Sequence, residues 1–275
     1  MSIPRFETPD LTTLRRSPEE SPSLRRRFPS YPDHFSFEPS DRWVRGVVDG
    51  IAVVDSRHQL LVWEPGHKVP EYGFPAEHVR TDLLTPAVAA PPRGRFYRPR
   101  GGDEQWFDLH LGDSRVIEHA AWRWNVPGLE EYLAVTWSRG VLDAWYEEDE
   151  LVMTHPRDPH NRVDALPSSR RVVVSRGGSV LAETTEPVVV YETGLPTRWY
   201  VPRKDVRFET LRPSDGWSEC PYKGYATDYW SSADGRVTDI AWSYPDPKPA
   251  VSAIRDHVAF YNEKVQIAVD GVVQP

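Results

Sequence analysis

The sequence predicts a mainly β protein made of two tandem copies of one domain. Three observations carry this: an ordered set of motifs that occurs twice, short β-branched runs punctuated by Gly, Thr and Pro, and only one helix-like stretch per copy. Asp49-Gly50, Leu60-Leu61-Val62-Trp63-Glu64 and Phe74-Pro75-Ala76-Glu77-His78-Val79-Arg80 return as Gly177-Gly178, Val188-Val189-Val190-Tyr191-Glu192 and Val201-Pro202-Arg203-Lys204-Asp205-Val206-Arg207. Downstream, Ala121-Trp122-Arg123-Trp124 returns as Ala241-Trp242-Ser243-Tyr244, and Ala144-Trp145-Tyr146-Glu147-Glu148 reads as returning in Ala259-Phe260-Tyr261-Asn262-Glu263. The order is kept at an offset of roughly 115 to 130 residues, which is a duplicated domain and not a short-period solenoid. The first copy lacks Cys220-Pro221-Tyr222-Lys223-Gly224, and the unrelated stretch from Arg93 to Gln105 takes its place.

A chain of 275 residues suits two cores, since single domains usually run to about 100–150 residues. Residues 1–40, rich in Pro, Ser and charge, read as an irregular arm, with Arg25-Arg26-Arg27 as a solvated turn. The first domain then spans 41–157. Residues 158–169 read as a linker that follows the proline-broken stretch from His155 to Arg162, and the second domain spans 170–275.

Within each domain the strands come in the same order. Val44 to Val48, Ile51 to Asp55 and Leu60 to Trp63 match Val172 to Val174, Ser179 to Glu183 and Val188 to Tyr191, which reads as an antiparallel meander. A short helix is expected from Pro249 to Asp256, where Pro suits the first turn and Val251, Ile254 and Val258 follow at helical spacing. Its counterpart is read from Leu129 to about Trp137. His257 to Tyr261 and Val265 to Val269 then read as a hairpin around Asn262-Glu263-Lys264.

Composition narrows the function. No apolar run approaches the roughly 18 residues of a membrane span, so no membrane partner is expected. A net charge of −8 disfavours nucleic acid, which needs cations to neutralise phosphates. A single Cys cannot form an internal disulfide, and Met1 to Glu7 carries no basic-then-apolar signal, so a cytoplasmic location is expected.

The second copy resembles the bacterial domain of unknown function 427 family over about 170–272. It does so through Tyr200-Val201-Pro202-Arg203-Lys204-Asp205-Val206, Cys220-Pro221-Tyr222-Lys223-Gly224-Tyr225-Ala226, the run from Ala241 to Ala250, and Val258-Ala259-Phe260-Tyr261. The first copy, about 42–157, is similar through Phe74 to Arg80 and Ala121 to Trp124 but departs at the Cys-Pro-Tyr-Lys-Gly motif. The resemblance implies two tandem domains of β-tent-like fold, antiparallel sheets meeting at an angle. It implies no reaction, and no Gly-rich phosphate loop or paired-carboxylate motif supplies one.

Candidate site residues cluster in the second copy. Cys220 is the candidate nucleophile or redox group, with Lys223 as its electrostatic support, the alternative being a small buried hydrophobe. Trp242 and Tyr244, two apart on a strand, face the same way and with Tyr200 and Tyr222 offer an aromatic wall for a flat or cationic ligand. Core packing is the plainer reading of each. Glu192 and Arg203 are the charged groups expected to orient a ligand. No metal site is expected, because one Cys with scattered His closes no coordination shell, and no cofactor is expected. The expected function is a small-molecule-binding or cysteine-assisted enzymatic protein, with a non-catalytic aromatic cage or a structural interaction protein as alternatives. The expected assembly is a monomer in which the two copies pair by pseudo-two-fold symmetry.

Overall fold

The computed structural model describes residues 34–91, 104–112, 115–138, 140–152 and 154–274, and within them each copy folds as two antiparallel sheets. The first copy opens with β1 (Ser36–Ser40), β2 (Val44–Val48), β3 (Ile51–Ser56), β4 (Gln59–Trp63) and β5 (Glu71–Pro75). It continues with β6 (Leu84–Pro86), β7 (Gln105–Leu111), β8 (Arg115–Arg123), β9 (Tyr132–Val135), β10 (Ala144–Glu147) and β11 (Glu150–Leu151). The second copy opens with β12 (Val163–Pro167), β13 (Val172–Arg176), β14 (Ser179–Thr184), β15 (Val188–Glu192), β16 (Arg198–Pro202) and β17 (Leu211–Ser214). After it come β18 (Ser218–Cys220), β19 (Gly224–Ala226), β20 (Asp228–Ser232), β21 (Ala241–Ser243), β22 (His257–Phe260), β23 (Gln266–Val269) and β24 (Val272–Val273).

The duplication holds strand by strand. The larger sheets run β1-β4-β5-β9-β8-β7-β6 and β12-β15-β16-β22-β21-β20-β17, and the smaller ones β11-β10-β2-β3 and β24-β23-β13-β14. Even the irregularities repeat, with register breaks at Gly46/Val47 and at Val174/Ser175 and isolated bridges Val54–Val79 and Ala182–Val206. What the second copy adds is the two-stranded β18-β19 sheet, which carries the Cys-Pro-Tyr-Lys-Gly motif. The first-copy stretch expected in its place, Arg93 to Gln105, lies outside the described residues up to position 103, as does Arg25-Arg26-Arg27.

Each larger sheet is covered on both faces, and this decides where the candidate residues sit. One face packs on the smaller sheet: Val44, Val53 and Val54 meet Leu61, Phe74 and Leu133 in the first copy, and Val172, Leu181 and Ile267 meet Val201, Val258 and Phe260 in the second. The opposite face holds a second cluster, with Trp106, Trp122 and Trp124 in the first copy and Tyr200, Tyr229, Trp242 and Tyr244 in the second. A strand buried on both faces loses the apolar-polar alternation that marks a half-exposed one.

That loss explains the first correction. Leu129 to Trp137 is not a helix: a turn precedes β9, whose Leu133, Ala134 and Val135 are buried in a row, so the run has no period that separates strand from helix. The short helical turns of the first copy are instead Ala76–His78 and Thr81–Leu83, repeated at Arg203–Asp205 and Phe208–Thr210. Pro249–Ile254 is helical as expected, though as a 3₁₀ turn kinked at Val251.

Three further readings change. Ala144–Glu147 corresponds to Gln266–Val269 and not to Ala259 onward, because both strands pair with the matching strand of the smaller sheet. His257–Phe260 and Gln266–Val269 form no hairpin, since the first joins β16 and β21 and the second joins β13. The runs read as a meander split between sheets after β3 and after β14. Strands β1 and β12 fall in stretches read as arm and linker, and each adds an edge to a larger sheet through β4 and β15. Short edge strands with Pro and charge carry little periodic signal.

Candidate functional site

The motif Cys220-Pro221-Tyr222-Lys223-Gly224 forms the tip of the β18-β19 hairpin, with Cys220 paired to Gly224 across it. Gly224 takes φ +101°, and a Cβ there would lie 3.2 Å from the Asp246 carbonyl oxygen, so both backbone angle and space demand glycine. The Lys248 N–H donates to the Lys223 carbonyl at 3.0 Å, fastening the tip to the segment that leads into the Pro249–Ile254 turn.

Each motif side chain is then drawn to a different task. The buried Lys223 ammonium ion-pairs with Glu192 at the end of β15, and both side chains are 11% exposed. Its charge is therefore directed to Glu192 and not at the thiol. Tyr222 points across the copy boundary, where the Asp158 N–H donates to its hydroxyl at 2.8 Å, and burial pushes that phenol upward. Arg157 Nε donates to the Pro221 carbonyl at 3.2 Å, while its Nη atoms hold Glu150. Glu150 also takes the Lys248 ammonium, and hydrogen bonding from Arg157 pulls its carboxyl down to about 2. The hairpin of the second copy is thus seated on residues 150–158, the end of the first copy and the start of the linker.

Cys220 alone of the motif keeps partial exposure without a structural task. It stands on the wall of an open cleft between Leu151, Val152 and Thr154 of the first copy and Glu219, Pro221, Gly224, Tyr225 and Lys248 of the second. The space within it that a water-sized sphere can enter is about 40 Å³, so the cleft is shallow.

The aromatic candidates sit behind this wall. Tyr200, Trp242 and Tyr244 are 1%, 7% and 4% exposed, so they form a packed cluster and not an open cage. Trp242 meets Tyr200 edge-on with centroids 6.2 Å apart and packs on Tyr261 at 4.2 Å. Burial raises the Tyr200 and Tyr244 phenols well above their ordinary range. Arg203 is not part of the group. It pairs with Asp228 at 3.0 Å and lies over Phe208 and Trp230, against the cluster on the other face of the sheet.

Register places Trp122 and Trp242 at equivalent positions, opposite Trp106 and Ala134 in one copy and Tyr229 and Ala259 in the other. The surrounding residues diverge. Tyr200 faces Val188 as Gly73 faces Leu60, and a Cβ on Gly73 would meet the Trp124 ring at 3.1 Å, so the larger indole of the first copy fills the room that Tyr200 takes in the second. Glu64, the counterpart of Glu192, accepts Trp124 Nε1 at 2.6 Å. Glu71 stands where the second copy has Arg198. It is buried, and desolvation, with the Glu64 charge beside it, pushes its carboxyl well up.

Sequence reasoning missed three residues of the boundary. Lys68, between β4 and β5, is exposed to the fields of Glu192, Lys223, Cys220 and Asp158, and its ammonium is held down by desolvation. His155 lies 6.2 Å from the Tyr222 ring, with Nδ1 at 2.7 Å from the Pro156 carbonyl, and burial lowers it. Asp158 accepts Trp63 Nε1 at 3.2 Å. None belongs to a repeated motif, and their meeting depends on how the copies pack, which periodicity does not encode. Among the described residues no three His, Cys, Asp or Glu side chains gather as a metal site, and no helix is long and apolar enough to cross a membrane.

No curated protein matches the chain. The family model of the domain of unknown function DUF427 matches it twice, over residues 36–148 and 164–271, and the chain belongs to that family as a tandem member.

Proposed function

We propose that the protein binds a small molecule in the cleft at the boundary of its two copies, with Cys220 as a contact on the cleft wall. One observation carries this reading: Cys220, the one reactive side chain of the motif without a structural partner, stands on the wall of an open cleft lined by both copies. Lys223 serves the site by fixing Glu192 and the hairpin, and Tyr222 by seating the hairpin on the first copy. The buried Tyr200, Trp242 and Tyr244 support the wall from behind, which favours a structural role for the aromatic set. A single cysteine that stays reduced fits a cytoplasmic setting.

The test is a thermal-shift screen of small molecules on the wild type and on Thr154→Trp, which fills the cleft from the first-copy side. Compounds that stabilise the wild type, shield Cys220 from iodoacetamide and lose both effects in Thr154→Trp are expected. Stabilising compounds that act equally on both proteins and leave Cys220 reactive would place binding elsewhere.

A further inference from the structure

Residues 157 and 158, which grip the tip of the hairpin, are themselves gripped from inside the first copy. Glu147, at the end of β10, is only 3% exposed, and its Oε1 accepts the Arg157 N–H at 3.0 Å and the Tyr72 hydroxyl at 3.1 Å. Arg42 stands 3.6 Å from the same oxygen and donates Nη1 to the Arg157 carbonyl at 2.7 Å and to the Tyr72 hydroxyl at 3.2 Å. Both backbone polar groups of Arg157 therefore end on first-copy side chains. From that fixed point the Arg157 side chain reaches the Pro221 carbonyl, one residue from Cys220, and the Asp158 N–H reaches Tyr222.

The second copy has no such network. Strand register puts Val269 in the place of Glu147 and Trp199 in that of Tyr72, and Arg170, the counterpart of Arg42, lies over the Trp199 ring and pairs with Asp270. A buried carboxylate is costly unless it is paired and hydrogen-bonded, and an apolar residue in its place is often neutral or stabilising. The second copy shows that this fold accepts valine there. What valine cannot do is hold the Arg157 N–H.

We propose that Glu147 is a positioning residue of the Cys220 cleft: with Arg42 it clamps the Arg157 backbone, which sets the hairpin tip and the exposure of the thiol. The first copy, which lacks the motif, thereby shapes the site of the second. The proposal rests on the reading of Cys220 as part of the wall of that cleft.

Iodoacetamide alkylation of native Cys220, the only cysteine, reads the position of the tip, and the urea midpoint reads stability apart from it. Glu147→Val, which copies the second domain, frees the Arg157 N–H, and Arg42→Met frees the Arg157 carbonyl; each is expected to raise the native rate by about threefold or more. Glu147→Gln keeps an acceptor for the Arg157 N–H and is expected to stay within about twofold of the wild type. Tyr72→Phe loses buried hydrogen bonds, so its urea midpoint should fall, yet Glu147 still holds Arg157 and the rate should stay. Wild-type rates in Glu147→Val and Arg42→Met would overturn the proposal while the cleft reading stands, and Arg42→Met decides alone where Glu147→Val does not fold. Rates that follow the urea midpoint through all four variants, Tyr72→Phe included, would make the network structural only and overturn the proposal too. A wild-type thiol inert to iodoacetamide that turns reactive in Glu147→Val would keep the positioning role and overturn the cleft reading.

Discussion

Two buried charges show how differently the copies treat the same place in the sheet. Glu71 is enclosed without a cation and beside Glu64, so burial and that charge both favour its protonated form. A carboxyl raised in the folded state contributes stability below its ordinary range, and that contribution is lost as pH rises through the folded value. Glu71→Gln is therefore expected to raise the melting temperature at pH 7 to 8 and to flatten the decline in stability above pH 5. An unchanged pH profile by calorimetry would show that Glu71 is not the titrating group. Glu192 is the opposite case, since Lys223 neutralises it. Removing the ammonium in Lys223→Met leaves a largely buried carboxylate alone and should cost about 3–5 kcal/mol in urea unfolding. Adding Glu192→Gln should recover much of that loss.

These residues were legible to different degrees. Glu192 and Lys223 were visible as charges within repeated motifs, but their pairing was not, because the contact joins β15 to a hairpin 31 residues further on. Cys220 was legible as a shaped-turn residue with an ambiguous environment. Lys68 gave no signal, since the charges that act on it come together only where the two copies meet.

At the scale of the element, the β18-β19 hairpin is the clearest departure of one copy from the other. Gly224→Ala puts a Cβ on a residue at φ +101° and near a backbone carbonyl, which should cost roughly 1–2 kcal/mol and loosen the tip. The expected readout is faster amide exchange in residues 218–226 with the remaining strands unaffected. Uniform exchange throughout would mean that the hairpin is not a separate unit. The turn chemistry of Pro and Gly made the tip readable from the sequence as a shaped turn, but not the two short strands that flank it. Strand β9 was not readable, because a strand buried on both faces shows an apolar run instead of an alternation. Edges β1 and β12 were lost for the opposite reason, being short, partly exposed and interrupted by Pro39 and Pro167.

The whole molecule is a duplication whose copies match in strand order and differ where they meet. Arg157, Tyr222 and Lys248 join the second-copy hairpin to the first copy, so the closed clasp and the open cleft are two sides of one contact. Arg157→Ala should leave both sheets intact by circular dichroism and speed amide exchange at residues 150–158 and 218–226 together. Faster exchange on one side alone would contradict a shared clasp.

The central claim is that Cys220 faces an open cleft while Tyr222 and Lys223 of its motif are held by Asp158 and Glu192. Iodoacetamide alkylation of the native wild-type protein, timed by mass spectrometry against the urea-unfolded chain, tests it most directly. A native rate within about tenfold of the unfolded rate is predicted, because the thiol need not wait for unfolding to be reached. A native rate suppressed in proportion to the global stability would place Cys220 in the sealed interior and contradict the account.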